Sequence, residues 1–175
     1  MRANPARKFS FGSPGAGTLT HLTGEIFKRA VGLPDYVHIP YRGAGPGMND
    51  LVGGHIPSMI FNITGQGIEL HKAGKIRIVG VASPKRLDLL PDVPTCAEFY
   101  PAVVAQLFTG LFAPAGTPKP IIEQIAKANR ELAGNAEFRK KLTDSGLEPV
   151  TDTPEEAGAV VEAELKRLAP LAKEI

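Results

Sequence analysis

Sixteen of the 19 glycines fall before residue 117, and they stand at the joints between short apolar runs. This placement constrains the fold more than any other feature. Glycine lets a backbone turn sharply and approach a neighbour that a side chain would obstruct. The runs at residues 8–12, 36–40, 56–61, 76–82 and 107–113 are rich in β-branched or aromatic residues and bounded by Gly or Pro, so they read as strands. Between the first two, Leu19, Leu22, Ile26 and Ala30 recur on one helical face, and Gly32 follows as a stop. Shorter helical patterns cover 47–52, 67–73 and 94–99. Strand–helix–strand alternation predicts an α/β lobe with a largely parallel sheet over residues 8–112.

From Thr117 onward the pattern is helical. Thr117-Pro118 reads as an N-cap followed by a first-turn proline. Ile121, Ile125, Ala128 and Leu132 form one apolar stripe. Asn135 is placed to cap a short helix carrying Phe138 and Leu142 and ended by Gly146. Thr153-Pro154-Glu155-Glu156 has the form of a capping box. Its helix carries Ala157, Val160, Val161, Leu165 and Leu168, and Pro170 should kink or end it. Residues 113–175 thus form a second, helical segment.

Composition removes several functions. No apolar run approaches the ~20 residues of a membrane-spanning helix, and a net charge of +2 gives no electrostatic case for nucleic acid. Cys96 stands alone, which excludes an internal disulfide, a Cys-cluster metal site and a Cys-x-x-Cys redox pair. The opening Met1-Arg2-Ala3-Asn4-Pro5 has no apolar stretch of signal-peptide type, so the chain as written is expected to stay in the cytoplasm. Residues 1–110 carry a net +4 and residues 111–175 a net −2. The positive lobe would suit an anion, although ordinary solvated surface is the plainer reading.

Three segments are candidates for binding. Phe11-Gly12-Ser13-Pro14-Gly15-Ala16-Gly17-Thr18 joins the first strand to the first helix. Its glycines open the backbone amides of a helix start, where the helix dipole favours negative charge, and Thr18 adds a hydroxyl. A carboxylate or phosphate would fit; a tight helix-capping turn is the alternative. Thr18 stands where a nucleotide P-loop needs lysine, and Thr20 where a dinucleotide fingerprint needs its third glycine. His21, one turn on, can face the same ligand or simply pack. The second segment, from His38 to Gly47, offers Tyr41, Arg42 and Gly43 after the second strand. Ligands of open α/β sheets sit at the carboxyl ends of the strands, which puts both glycine loops on one edge. The third, after the third strand, offers Asn62 and Thr64, which are equally ordinary turn residues. Catalytic signals are weak. There is no His-Glu-x-x-His and no Gly-x-Ser-x-Gly, and Ser13 with His21 as nucleophile and base lacks an orienting acid.

Six ordered segments carry a resemblance through nearly the whole chain. They are Ser13-x-Gly15-x-Gly17-Thr18-x-x-His21-Leu22, His38-Ile39-Pro40-Tyr41-Arg42-Gly43-x-Gly45-Pro46, Leu51-Val52-Gly53-Gly54-His55-Ile56, Ala73-Gly74-Lys75-Ile76-Arg77, Leu90-Pro91-Asp92-Val93-Pro94-Thr95-x-x-Glu98 and Gly110-Leu111-Phe112-Ala113-Pro114-Ala115-Gly116-Thr117-Pro118. Together they resemble the substrate-binding proteins of tripartite tricarboxylate transporters, the Bug or TctC-like family. The resemblance implies a type II periplasmic-binding-protein fold, no catalysis and no metal or cofactor. It also implies a periplasmic receptor that hands a small organic carboxylate to a membrane permease. Di- and tricarboxylates, acidic amino acids and aromatic acids are the family's ligands. Ser13, Gly15, Ala16, Gly17, Thr18, His21, Tyr41, Arg42, Gly43 and Asn62 fall at its ligand-facing positions. By the same resemblance the chain starts near the family's second lobe, and residues 113–175 match the closing part of the first. The opening units, which supply the other wall of the cleft, are expected to be missing, and ligand binding by these 175 residues alone is expected to be weak. The rival expectations are a small hydrolase or transferase using Ser13 and His21, and a sensor or interaction fragment.

Overall fold

The computed structural model describes residues 9–175. Lys8 of the first expected strand and the opening five residues lie outside that range. The chain divides into two compact units, the first ending at Leu107 and the second spanning Phe108–Glu174.

In the first unit, β1 (Ser10–Ser13) pairs in parallel with β2 (Val37–Pro40), Ser10 opposite Val37 and Ser13 opposite Pro40. Helix α1 (Leu19–Val31) makes the crossover between them. Thr18 caps its start, and Gly32 ends it in the left-handed region at φ 71°, where glycine is favoured over any residue with a Cβ. Residues 56–61 lie on the other side of β1. Gly12 donates to Ser58 O at 2.9 Å, and Ile60 donates to Gly12 O at 2.9 Å. They form one parallel bridge, Gly12 with Met59, rather than a full strand. Likewise residues 76–82 make one bridge, Val81 with Thr95. Residues 107–113 take no strand form. A strand exists only where a neighbour accepts its ladder bonds, and β-propensity cannot announce that neighbour. The α/β class with parallel pairing stands; the ladder is shorter than the five apolar runs suggest.

Helix α2 (Ala44–Val52) and helix α3 (Gly65–Lys72) start earlier than their apolar residues indicate. Thr64 caps α3 by accepting from the Gly67 amide at 3.3 Å. The pattern at 94–99 tightens into a 3₁₀ turn, Cys96–Glu98, with Thr95 and Glu98 as a reciprocal capping box.

Phe11 is fully buried and organises the first core. Its ring lies 4.9 Å from that of Tyr36 and 5.0 Å from that of His38. A Cβ on Gly24 of α1 would fall 2.2 Å from the Phe11 ring, so this helix position must be glycine for α1 to close on β1. Ile68, Val81, Leu90 and Val93 form a second cluster, with Ile63, Ile78 and Leu87 against it. Arg86 braces the 3₁₀ turn from outside with two 2.8 Å bonds to the Glu98 carboxylate. Those bonds and the Thr95 amide hold the Glu98 pKa down to about 2. A carboxyl depressed in the fold contributes stability above its unfolded pKa and loses it as pH falls through the folded value. Carboxyl-carbon NMR should therefore show Glu98 still ionised at about pH 3, when ordinary glutamates near 4.3 have protonated; a midpoint near 4 would mean the Arg86 brace is not held in solution.

The second unit carries α4 (Lys119–Gly134), α5 (Ala136–Asp144) and α6 (Pro154–Ala172). Thr117 does not cap α4. Pro118 takes the cap position, and the Thr117 hydroxyl donates to Pro114 O at 2.8 Å, closing the preceding turn instead. Asn135 does cap α5, accepting from the Phe138 amide at 2.9 Å. The Thr153–Glu156 box opens α6 with both reciprocal bonds made. Pro170 is carried inside α6, which ends two residues later. The stripe on α4 is half exposed, with Ile121, Ile125 and Leu132 each above 40% accessible. Thr153→Ala should remove about 1 kcal/mol from the second unit, read as a lower helical midpoint in thermal circular dichroism; an unchanged midpoint would mean that the box does not limit α6.

Candidate functional site

Glycine loops follow β1 and β2 on the same sheet edge, as the parallel pairing requires. Two main-chain bonds lock them together: Tyr41 donates to Ser13 O at 2.9 Å and Gly43 donates to Pro14 O at 2.8 Å. Gly43 sits at φ 105°, a region glycine alone takes readily.

Within the first loop the protein fills part of its own cradle. Ser13 is fully buried; its hydroxyl donates to Gly15 O at 3.0 Å and accepts from the Gly15 amide at 3.2 Å. The Gly17 amide donates to Nδ1 of His21 at 3.1 Å, and the His21 amide to the Thr18 hydroxyl at 3.4 Å. Thr18 Oγ1 in turn bonds Gly15 O and Thr20 Oγ1. Among the described residues, the amides of Ala16, Leu19 and Thr20 have no protein acceptor. The free donors of this segment are therefore those three rather than Gly15 and Gly17.

Ser13 pairs with His38, not His21: its Oγ lies 2.7 Å from His38 Nε2. His21 and His38 stack with centroids 3.7 Å apart. Burial lowers the pKa of both rings, and His21 lowers that of His38 further. The Tyr41 hydroxyl is also engaged, donating to Asp50 Oδ2 at 2.7 Å; that bond raises the phenol pKa and lowers the carboxyl's. The Tyr41 ring packs beside Gly12 and Gly47, where a Cβ would come within 3.0 Å of it. Arg42 is exposed and has no ion-pair partner among the described residues. Also among the described residues, no three His, Cys, Asp or Glu side chains gather as metal ligands would.

The hollow of this edge lies one step over from the first loop. It measures about 210 Å³ and is lined by Pro14, Ala44, Gly45, Met48, Asn49, Phe61, Asn62, Thr64 and Gln66. Of the ten residues singled out from the sequence, Asn62 lines it directly, and the first loop contributes Pro14. The starts of α2 and α3 supply most of the rest. Among the described residues, the amides of Ala44, Gly45, Gly65 and Gln66 have no protein acceptor. Sequence reasoning passed over Ala44, Gly45, Asn49 and Gln66 because small residues and neutral amides look like turn or surface. The usable signal was the Gly43 and Thr64 caps, which mark two helix starts after two loops of one edge. No lining side chain carries a formal charge. Such a surface can hold an anion through N–H dipoles, with Phe61 and Met48 as apolar wall for a carbon chain.

Solved structures place this architecture among the periplasmic binding proteins. A periplasmic transporter superposes with a TM-score of 0.86 at 35% identity, covering 98% of this chain and 57% of its own. The periplasmic binding protein BugD gives 0.78 at 29% identity, over 97% and 57%. An R. palustris protein solved with adipate gives 0.82 at 29% identity, over 98% and 57%. The sequence is more specific still: the profile of the tripartite tricarboxylate transporter family receptor matches residues 1–175, and the chain belongs to that family. Similar curated proteins include a UPF0065 protein of Pseudomonas sp., 34% identical over 95% of this chain and 49% of its own length. BugT of Bordetella pertussis is 30% identical over 99% and 52%. The chain spans about half the length of these two relatives. The family is one of receptors and not enzymes, and the Ser13–His21 dyad falls on geometry as well, since the imidazole beside the Ser13 hydroxyl is that of His38. Among the described residues, no helix is long and apolar enough to cross a membrane.

Proposed function

We propose that this chain carries the ligand-facing lobe of a periplasmic receptor that captures a small organic carboxylate for a tripartite-type permease. The observation that carries this reading is the hollow between the starts of α2 and α3, with unpartnered amides and carboxamides and no charged side chain. One carboxylate takes the amides of Ala44 and Gly45 or those of Gly65 and Gln66, Asn62 orients it, and the carbon chain lies on Phe61 and Met48. The free amides at Ala16, Leu19 and Thr20 offer a second anion contact on the same sheet edge. Adipate in a structural neighbour supports a dicarboxylate as the first ligand to try. In this reading residues 8–112 are the family's second lobe and residues 113–175 the closing part of its first.

Ala44, Gly45, Asn62 and Gln66 are exposed, so a carboxylate held there stays in contact with water and affinity should be modest, on the order of millimolar. Amide NMR of the 175-residue chain titrated with adipate should show saturable shifts at Ala44, Gly45, Asn62 and Thr64. Equal shifts with hexane-diol, or none with any diacid from four to eight carbons, would remove the carboxylate assignment.

A further inference from the structure

One pair of titratable groups, a buried His21 and a half-buried His38, has no part in the hollow. His21 on α1 and His38 on β2 lie face to face, planes within 15°, and each grips the first glycine loop by a different atom. Nδ1 of His21 accepts the Gly17 amide, so that nitrogen carries no proton. Nε2 of His38 lies 2.7 Å from the Ser13 hydroxyl, which also reaches Gly15 O. The carbonyls of Ser13 and Pro14 then hold Tyr41 and Gly43, and Pro14 is a wall of the hollow. A ring nitrogen that accepts an N–H cannot keep that bond once protonated. Protonation of His21 would set N–H against N–H at Gly17 and place a cation against the second ring.

We propose that the stacked His21–His38 pair is a proton-operated latch: the neutral rings hold the loop 13–18 shut, and a proton on His21 Nδ1 releases Gly17 and loosens the wall at Pro14. The charged groups facing the pair are Glu25 and Lys28 of α1, themselves paired at 3.4 Å. Glu25 favours a protonated ring and Lys28 opposes it. From β1 and the approach to β2 the neighbours are Phe11 and Tyr36, both uncharged, with the Tyr36 hydroxyl bonded to Ser58. Burial keeps both imidazoles below their ordinary 6.5. The folded state therefore binds fewer protons than the unfolded chain on the acid side of 6.5, and the latch loses its contribution as pH falls. The consequence that acid weakens carboxylate capture rests on the function proposed above; the latch itself does not.

The test is ¹⁵N and ring-carbon NMR of the full chain from about pH 7.5 to about pH 5. The Gly17 amide should move with the His21 ring on one curve whose midpoint lies below 6.5. Its exchange, corrected for intrinsic rate, should rise by up to about tenfold per pH unit between 6.5 and that midpoint and level off below it. His21→Asn offers a non-titrating acceptor and should flatten the Gly17 curve while raising the His38 midpoint. His38→Asn should leave the Gly17 curve in place, which keeps the test decisive if the first variant does not fold. A flat Gly17 curve in the unmodified chain, or an unchanged one in His21→Asn, overturns the latch. Adipate titrations at both pH limits separate the two ideas. No adipate shifts at either pH would strike the carboxylate reading alone, because the Gly17 curve still decides the latch.

Discussion

Phe11→Ala should cost about 3–5 kcal/mol, the range for emptying a fully buried phenylalanine site. A domain of this size holds roughly 5–15 kcal/mol in total, so the variant should be largely unfolded at modest urea. The cost is high because the ring is fixed on three sides. Tyr36 and His38 pack on it, and the bare Cα of Gly24 brings α1 down on the third. Neither the strand nor the helix can move inward to fill the space, since β1 is paired with β2 on one edge and bonded to residues 58–60 on the other. Gly24→Leu should damage the same contact from the opposite direction, by overpacking of about 1–3 kcal/mol or more. Urea unfolding followed by circular dichroism measures both. A loss under about 1 kcal/mol for Phe11→Ala would mean that the β1–α1 contact is not the centre of the first unit.

Gly45→Leu is expected to abolish the adipate shifts, or to weaken affinity by at least about tenfold, while leaving stability within about 0.5 kcal/mol. Gly45 lines the hollow, its φ is not in the left-handed region, and a Cβ there meets nothing within 4 Å. A leucine can therefore enter without backbone strain and occupy the space assigned to the ligand. Gly47, two residues on, makes the contrast: a Cβ there would meet Met59 at 2.8 Å and Tyr41 at 3.0 Å, so substitution would disturb the lobe itself. Undiminished adipate shifts in a folded Gly45→Leu would place binding elsewhere on this edge.

Much of the local structure was readable from residue chemistry. The α1 helix, the Gly32 stop, the Asn135 cap and the Thr153–Glu156 box each depend on groups within a few residues of one another, and each is present. Thr117 shows the limit even at that range: its hydroxyl closed the turn at Pro114 instead of capping α4. The family was legible for a different reason, because six ordered segments survive at positions where glycine, proline and small hydroxyls shape loops.

What the sequence determined by itself was the order of the helices, the glycine joints and the side of the sheet on which they fall, because backbone sterics and capping act over one or two turns. Which runs became strands and which histidine faced Ser13 were decided only by tertiary structure. Those outcomes depend on partners 25 to 48 residues away in the chain, as in Ser13 with His38 and Ser10 with Ser58, and a hydrogen bond at that separation leaves no periodic trace in the residues that make it.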